Sequence, residues 1–250
     1  DALRARQVSI ADFQRFDLIL AMDHDNLARL QALRPKHGAK AEVDLLLRRY
    51  GGAVPLPQEL IGDSVQPVSP YKQAIARAAV GCIREHARII IDSGTTTAAM
   101  IPQLGHKHGL VVMTNSLNVA SALRDIEHEP VLLMTGGTWD PHSESFQGQV
   151  AEQVLRSYDF DQLFIGAAGL DPERGTTTFN ELLGLSRVMA EVAREVIVMV
   201  ESDKVGRRIP NLELPWSSVH TLITDDRLDS QVAEQIRARG IQLFLAPLEN

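Results

Sequence analysis

The chain has 250 residues, enough for one large α/β domain or for two smaller domains. Hydrophobic residues make up 44% and charged residues 23%, as in ordinary globular proteins. No apolar run approaches the roughly 18 residues of a membrane-spanning helix, so no membrane association is predicted. The net charge is −7, and residues 58–250 carry 16 Lys and Arg against 25 Asp and Glu. This balance excludes a broad basic face for nucleic acid on the larger part of the chain.

The first residues, DALRARQVSI, contain no initiator Met and no signal-peptide pattern, so we expect a fragment or a processed chain. The single cysteine, Cys82, excludes an internal disulfide and favours a reducing cytoplasm. The eight histidines show no metal-ligand spacing. Neither a metal nor a cofactor is therefore predicted.

Residues 1–49 differ in pattern from the rest of the chain. RFDLILAMD predicts a short buried strand, and HDNLARLQAL predicts a helix because Leu27, Leu30 and Leu33 recur at helical spacing. Residues 50–70 are rich in Gly and Pro and poor in periodic apolar residues, which predicts a linker. A second domain is predicted over residues 71–250.

Helix and strand patterns alternate through this second domain. The predicted elements are, in order, a helix (YKQAIARAAVGCIREH), strand 88–92, a helix after the threonine-rich loop, strand 110–114, helix SLNVASALRDI, strand 130–137, helix 149–157, strand 162–169, helix 181–194, strands 195–202 and 221–224, a helix, and strand 241–247. This order predicts an α/β fold, a mostly parallel sheet with helices on both faces. Ligands of such sheets bind at the carboxyl ends of the strands.

Hydroxyls, amides and glycines collect at five of these strand ends. The groups are DSGTTT (92–97), TNS (114–116), TGG (135–137), GAAGLD (166–171) and ESDK (201–204), and a later loop, RGTTTFNE, precedes a helix. For any single loop a structural role explains the residues equally well, since Thr97, Ser116 and Asn180 are good helix N-caps. Five such loops at one edge of a sheet favour a binding site.

The residue types suit a phosphorylated polyol or sugar. Backbone N–H groups of the 94–97 turn would hold the phosphate, and Thr114, Asn115 and Ser116 offer hydrogen bonds to hydroxyls. Lys204 would add a compact cation, although a solvated loop lysine remains the alternative. The chain contains no Walker A lysine loop.

From about residue 50 to 247 the chain resembles the effector-binding domain of the DeoR-type bacterial transcriptional repressors. The motifs that carry the resemblance are YGGAV, IIIDSGTTT, VVMTNSLNVASAL, LLMTGGTWD, SFQGQVAEQVL, YDFDQLFIGAAGLD, GTTTFNE and ESDKVGRRIPN. The resemblance implies a sugar-phosphate isomerase-like fold, a homo-oligomer, and a phosphorylated sugar or polyol whose binding releases operator DNA. The match is closest to the glucitol (sorbitol) operon repressor branch, which implies an effector such as glucitol 6-phosphate.

The same resemblance implies a set of ligand-binding residues by motif position. The phosphate loop comprises Asp92, Gly94, Thr95 and Thr96, with Thr97 in the same turn. The pocket lining comprises Thr114, Asn115, Gly136 and Gly137, and the polar end comprises Glu181 and Lys204.

Residues 1–49 depart from the family, which begins with a winged helix-turn-helix that we do not find here. They resemble an internal piece of low-molecular-weight protein tyrosine phosphatases, without the Cys-x5-Arg loop and with Leu56 where the acidic loop aligns. Cys82 and Arg88 have the Cys-x5-Arg spacing, but CIREHAR lacks the glycine and hydroxyl residues of such a loop. We therefore predict no phosphatase site, and operator binding only through a winged-helix module outside this chain.

Two other readings of the chain stay open. A sugar-phosphate isomerase or deaminase could use Asp92, Glu181 and Lys204 as its acid and base groups, since a carboxylate can move a proton between adjacent carbons. The chain could also be an inert fusion whose two pieces do not fold together. Catalytic turnover would identify the enzyme, and a cooperative unfolding transition that includes residues 1–50 would exclude the inert fusion.

Overall fold

The computed structural model describes residues 8–21, 24–35, 38–45, 68–207 and 209–248. The chain divides into two compact units, residues 1–61 and 62–250. Residues 50–67 of the predicted linker lie outside the described residues. Within the described residues, no helix is both long and apolar enough to cross a bilayer.

The first unit contains a strand, a helix and a second strand that pairs with the first. Its elements are α1 (Asp12–Arg15), β1 (Leu18–Ala21), α2 (His24–Leu33) and β2 (Glu42–Leu45). Strands β1 and β2 are parallel, and the helix α2 provides the crossover that a parallel pair requires. The strand β1 was predicted from the short apolar run in RFDLILAMD, and α2 was predicted from the helical spacing of its leucines; the strand and the helix are both confirmed.

The second unit contains the alternating helices and strands of the predicted α/β fold. Its strands are β3 (Arg88–Ile91), β4 (Val111–Thr114), β5 (Val131–Met134), β6 (Thr138–Asp140), β7 (Ser145–Gln147), β8 (Phe160–Ile165), β9 (Gly169–Asp171), β10 (Gly175–Thr178), β11 (Ala193–Met199), β12 (Asn211–Pro215), β13 (Thr221–Asp225) and β14 (Gln242–Ala246). Its helices are α3 (Pro70–Gly81), α4 (Thr95–Ala98), α5 (Leu117–Leu123), α6 (Gln149–Leu155), α7 (Gly184–Val192) and α8 (Ser230–Ala238). Short 3-10 helices span Ile101–His106, Ser202–Lys204 and Trp216–Ser218.

Seven strands form one parallel sheet in the order β14-β13-β11-β8-β3-β4-β5. Strand β3 is buried on both faces, as the run of isoleucines requires. Ile89 belongs to the same buried cluster as Ile75 of α3, whereas Ile90 belongs to a second cluster that includes Val188 of α7. Burial of each such side chain stabilises the folded state by on the order of 2 kcal/mol. Helices therefore cover both faces of the sheet, which confirms the predicted fold class.

Five predicted helices differ in extent from the observed ones, and those predicted over SLNVASALRDI and 149–157 end at Leu123 and Leu155. The helix predicted from residue 71 to 86 ends at Gly81, because the chain turns at Cys82 and adopts a positive φ of 60° at His86 before entering β3. The helix after the threonine-rich loop, α4, is short and is followed by a 3-10 helix that begins Ile101-Pro102. The helix predicted from about residue 181 begins at Gly184.

The sequence did not predict a three-stranded antiparallel sheet of order β12-β10-β9 or the hairpin of β6 and β7. Residues 175–178 were predicted to be a loop, and that prediction is wrong. They form β10, because three consecutive β-branched threonines suit a strand that pairs on both sides, with β9 and with β12.

Candidate functional site

The order of the parallel sheet places the predicted strand ends side by side. Strands β11, β8, β3, β4 and β5 are consecutive neighbours, and their carboxyl ends lie at the same edge of the sheet. The residues that follow them, including 92–97, 114–116, 135–137 and 201–204, therefore share that edge.

The 94–97 loop is closed by its own side chains. Gly94 has φ 142° and ψ 157°, and it precedes the first turn of α4. The hydroxyl of Thr97 donates to the carbonyl of Asp92 at 2.8 Å and to that of Gly94 at 3.0 Å. Thr97 therefore lies inside the turn, and its prediction as an N-cap is wrong because Gly94 occupies the cap position. Thr96 is also buried, whereas Thr95 is exposed and available to a ligand.

Asn115 holds the beginning of this loop. Its amide nitrogen donates to Oδ1 of Asp92 at 2.9 Å, and its amide oxygen accepts the N–H of Ser93 at 3.0 Å. Burial raises the pKa of Asp92 to about 6, although the hydrogen bonds from Asn115 and Ser93 oppose the shift. Asn115 is itself buried, so it positions Asp92 and Ser93.

Glu213 joins the site from the antiparallel sheet, and sequence reasoning missed it. Ser186 donates to Oε1 of Glu213 at 2.8 Å. Burial raises the pKa of Glu213 to about 7, and the nearby charge of Asp92 raises it further. Nothing in the pattern of NLELP marks this glutamate, since it reaches Asp92 only through the pairing of β12 with β10.

Lys72 is a second residue that the sequence analysis did not select. It lies in the first turn of α3 and is 8% exposed. Its Nζ donates to the hydroxyl of Thr95 at 2.9 Å and lies 3.7 Å from Oε1 of Glu201. In the sequence YKQAIARAAVG a lysine is typical of the exposed face of a helix. Lys72 becomes a candidate binding residue only because the structure buries it beside Thr95.

Lys204 lies at the end of β11, in the 3-10 helix that follows Glu201. Its side chain is buried, and Nζ donates to the carbonyl of Ala167, which follows β8, at 3.4 Å. Asp225 fixes the start of this helix by accepting the N–H and the hydroxyl of Ser202 at 2.8 and 2.7 Å. Lys204 is therefore a buried cation between neighbouring strand ends, and the alternative of a solvated loop lysine is excluded.

Several predicted pocket residues have clear structural roles. Thr114 is fully buried, and its hydroxyl accepts the N–H of Ser116, whose own hydroxyl caps α5 as predicted. Gly136 and Gly137 have φ 58° and 114°, as expected for glycines in this turn. A Cβ on Gly137 would lie 2.5 Å from the carbonyl oxygen of Gln147, so a closely approaching β7 requires glycine there.

Glu181 is the predicted residue that the structure does not join to the others. It lies in the loop between β10 and α7, and its side chain is exposed. In the described parts of the chain, no ion pair connects it to Lys204 or Lys72. Asn180 accepts the N–H of Leu182 at 2.9 Å, but the N-cap position of α7 belongs to Leu183, so the predicted cap at Asn180 is wrong.

Two surface grooves lie elsewhere on this unit. One, of about 570 Å³, is lined by residues 171–174, 206–207, 209–210 and Gln235, and it follows Lys204 along the chain. The other, of about 310 Å³, lies at the opposite edge of the sheet, around Arg88, Tyr158 and Arg194. Arg88 packs over the rings of Tyr158 and Phe160 there and donates to the carbonyl of Asp159, which explains its orientation without a ligand.

Comparison with known proteins identifies relatives of the second unit. Residues 69–226 match the DeoR C terminal sensor domain. The chain is 37% identical over 209 residues to a putative aga operon transcriptional repressor of Escherichia coli O157:H7, covering 80% of this chain and 77% of that protein. It is 31% identical over 202 residues to the HTH-type transcriptional regulator GlpR of Haloferax volcanii, covering 79% and 78%.

The solved structures that the comparison found are more distant. Ribose 5-phosphate isomerase A of Methanocaldococcus jannaschii is 18% identical, with a TM-score of 0.39 over 54% of this chain and 53% of that chain. A translation initiation factor eIF-2B of Pyrococcus horikoshii is 16% identical, with a TM-score of 0.43 over 61% and 62%. The sensor-domain match and the 37% identical relative establish that the chain belongs to the DeoR family and contains the C-terminal sensor domain of that family.

Proposed function

We propose that the sensor domain binds a phosphorylated sugar or polyol, such as glucitol 6-phosphate, at the carboxyl ends of β3, β8 and β11. The observation that carries the proposal is the burial of two lysines: Lys72, in the first turn of α3 with its Nζ on the hydroxyl of Thr95, and Lys204, in the 3-10 helix that follows β11. Buried ammonium groups are costly unless an anion or several acceptors compensate them. A phosphate at this edge would accept from both lysines and from backbone N–H groups of the loop.

The lining of the site suits the remainder of such a ligand. Asp92 and Glu213 can accept hydrogen bonds from hydroxyls, and at neutral pH either can retain a proton and donate, since their pKa values are raised to about 6 and 7. Asn115, Thr114, Gly136 and Gly137 keep the neighbouring loops in place. Glu181 remains a proposed contact only for a ligand large enough to reach the β10–α7 loop.

We further propose that the chain acts in the repression of sugar or polyol catabolism; the relatives that support a role in repression include the putative aga operon transcriptional repressor. Effector binding would shift a homo-oligomer between operator-binding and released forms. Operator DNA would be contacted by a winged-helix module that residues 1–49 do not supply. Helix-turn-helix regulators commonly bind two half-sites as dimers, which is the basis for proposing self-association.

Isothermal titration calorimetry tests the binding site. The chain is titrated with glucitol 6-phosphate, fructose 6-phosphate and unphosphorylated glucitol, and the titrations are repeated with Lys204→Ala. We expect micromolar binding that requires the phosphate and weakens at least tenfold in the variant, corresponding to about 1.4 kcal/mol. A folded chain that gives no saturable binding with either phosphate ester would contradict the site.

An aldose–ketose phosphate isomerase is the second candidate function, favoured by one observation. Asp92 and Glu213 have pKa values near neutrality, as a general acid and base require. One carboxylate would remove a proton from the carbon beside the carbonyl, and proton return to the neighbouring carbon would complete the interconversion. Proton NMR of fructose 6-phosphate in D2O distinguishes the functions, because enzyme-dependent deuterium incorporation supports isomerisation and saturable binding without incorporation supports the sensor.

A further inference from the structure

The candidate phosphate loop is connected to the beginning of α3 by a short chain of polar side chains. Lys72 contacts the hydroxyl of Thr95 at 2.9 Å on one side and Oε1 of Glu201 at 3.7 Å on the other. The second carboxylate oxygen of Glu201 accepts the hydroxyl of Ser69 at 2.8 Å. Ser69 is the N-cap of α3, and its hydroxyl also accepts the N–H of Lys72 at 3.2 Å.

The geometry allows the ammonium of Lys72 to change its partner. Side chains of Lys72 and Glu201 are only 10% and 11% exposed, so water screens their attraction weakly. Their separation of 3.7 Å exceeds the 2.7–2.9 Å or so of a charge-assisted hydrogen bond, so the ion pair is loose. A phosphate dianion beside Thr95 would carry more charge than Glu201 and would lie on the side to which Nζ already points.

Loss of its cation leaves Glu201 as a carboxylate that is 9% exposed, which is an unfavourable state. If the carboxylate then turns towards other donors or water, that movement strains or breaks its hydrogen bond from Ser69. The N-cap of α3 is the next group affected, because one Ser69 hydroxyl serves both Glu201 and the N–H of Lys72.

We propose that effector phosphate draws Lys72 away from Glu201 and thereby loosens the N-cap of α3 at Ser69. This inference rests on the phosphate site of the proposed function and adds the route by which occupancy of that site is transmitted. The family match begins at residue 69, so this cap lies at the start of the matched sensor domain. Ligand occupancy would thus change the first turn of the matched region.

Hydrogen exchange with mass spectrometry on the full chain tests the route, with glucitol 6-phosphate and fructose 6-phosphate as probes. We expect slower exchange in the 94–99 peptide, where phosphate is bound, and about fivefold or faster exchange of the Lys72 amide, which loses its acceptor. Protection of 94–99 without any change at Lys72 would overturn this inference and leave the proposed function standing. No protection and no saturable binding with either probe would overturn both.

The phosphate-ester affinity of a Glu201→Gln variant provides an independent test, because the inference predicts tighter binding and the alternative predicts weaker binding. If Glu201 competes with phosphate for Lys72, removing its charge should tighten phosphate-ester binding about fivefold. If Glu201 instead orients Lys72 for the ligand, the variant should bind more weakly, and that result would overturn the inference.

Asp203→Asn is the matched control, since it removes the same charge two residues away from a half-exposed carboxylate that pairs with Arg207. Its affinity should stay within about twofold of the wild type, because exposed charges are screened. An equal increase in phosphate-ester affinity in both variants would show that only the net charge matters, and this result would overturn the inference. Ser69→Ala removes the hydroxyl of the N-cap without changing any charge, and it should also increase the affinity for phosphate esters. This variant provides the test if Glu201→Gln does not fold.

Discussion

At the scale of single residues, burial disfavours the charge of three carboxyl groups, but their net pKa shifts have opposite directions. Burial raises the pKa values of Asp92 and Glu213 to about 6 and 7, because their hydrogen bonds do not offset the loss of water. Burial also disfavours the charge of Asp225, but hydrogen bonds from Arg227 and Ser202 outweigh it and lower the pKa to about 2. Two of these groups therefore suit proton exchange near neutrality, and the third is a permanent anion.

The raised pKa of Glu213 predicts a pH-dependent stability. The folded chain holds this proton more tightly than the unfolded chain, so the stabilisation is present below pH 4.5 and is lost as pH rises through about 7. Relative to wild type, Glu213→Gln should gain on the order of 2 kcal/mol of unfolding free energy across that window. Urea denaturation at intervals from pH 4.5 to 8 measures it. Glu234→Gln, which removes an exposed carboxylate, is the control for the substitution itself. A difference for Glu213→Gln that does not vary with pH would contradict the assignment.

The lowered pKa of Asp225 predicts that the unfolding free energy depends on pH in the opposite direction. Its lowered pKa contributes stability above about pH 4 that is lost as pH falls towards 2. Asp225→Asn should therefore cost on the order of 2 kcal/mol at pH 7 and progressively less below pH 4. Urea denaturation of both chains at pH 7 and pH 3 checks this. A cost that is equal at the two pH values would show that Asp225 acts through shape and neutral hydrogen bonds instead of charge.

At the scale of elements, the β5–β6 turn depends on a close approach of two backbones. Gly137→Ala places a Cβ 2.5 Å from the carbonyl oxygen of Gln147 at a φ of 114°, so β7 must move. We expect a loss of about 2–4 kcal/mol in unfolding free energy, measured by urea denaturation. Gly136→Ala is the matched control, since φ is also positive but no atom lies within 4 Å of the added Cβ. It should cost only about 1 kcal/mol, and equal losses would contradict the steric explanation.

Sequence patterns predicted the parallel sheet well because buried central strands are continuous apolar runs, as in RIII and VIVM. They failed for β10, whose threonines resemble a polar loop until both neighbouring strands are present. They also failed for Lys72 and Glu213, because a lysine on a helix and a glutamate on a short strand have no local signature. Tertiary structure alone brings Lys72 to Thr95 and Glu213 to Asp92, so the residues that follow strands could be selected from the sequence and these two could not.

At the scale of the whole molecule, strand order determines which ends can share one ligand. Strands β11, β8 and β3 are adjacent at the centre of the sheet although they are far apart in sequence. Lys204, Ala167 and Thr95 follow these three strands, so all three lie at the edge of the sheet where we propose that the phosphate binds. The helix α3, which precedes β3, places Lys72 at the same edge, and this connects the site to the first residues of the sensor domain.

The distribution of the core predicts how the two units behave when separated. In the described residues, both buried apolar clusters of the second unit are built from residues 74–246 alone. Residues 62–250 should therefore fold without residues 1–61, with a cooperative urea transition at the midpoint of the corresponding transition in the full chain. Circular dichroism and phosphate-ester titration of both chains measure this. A non-cooperative transition or lost binding would show that the first unit is required for the sensor domain to fold.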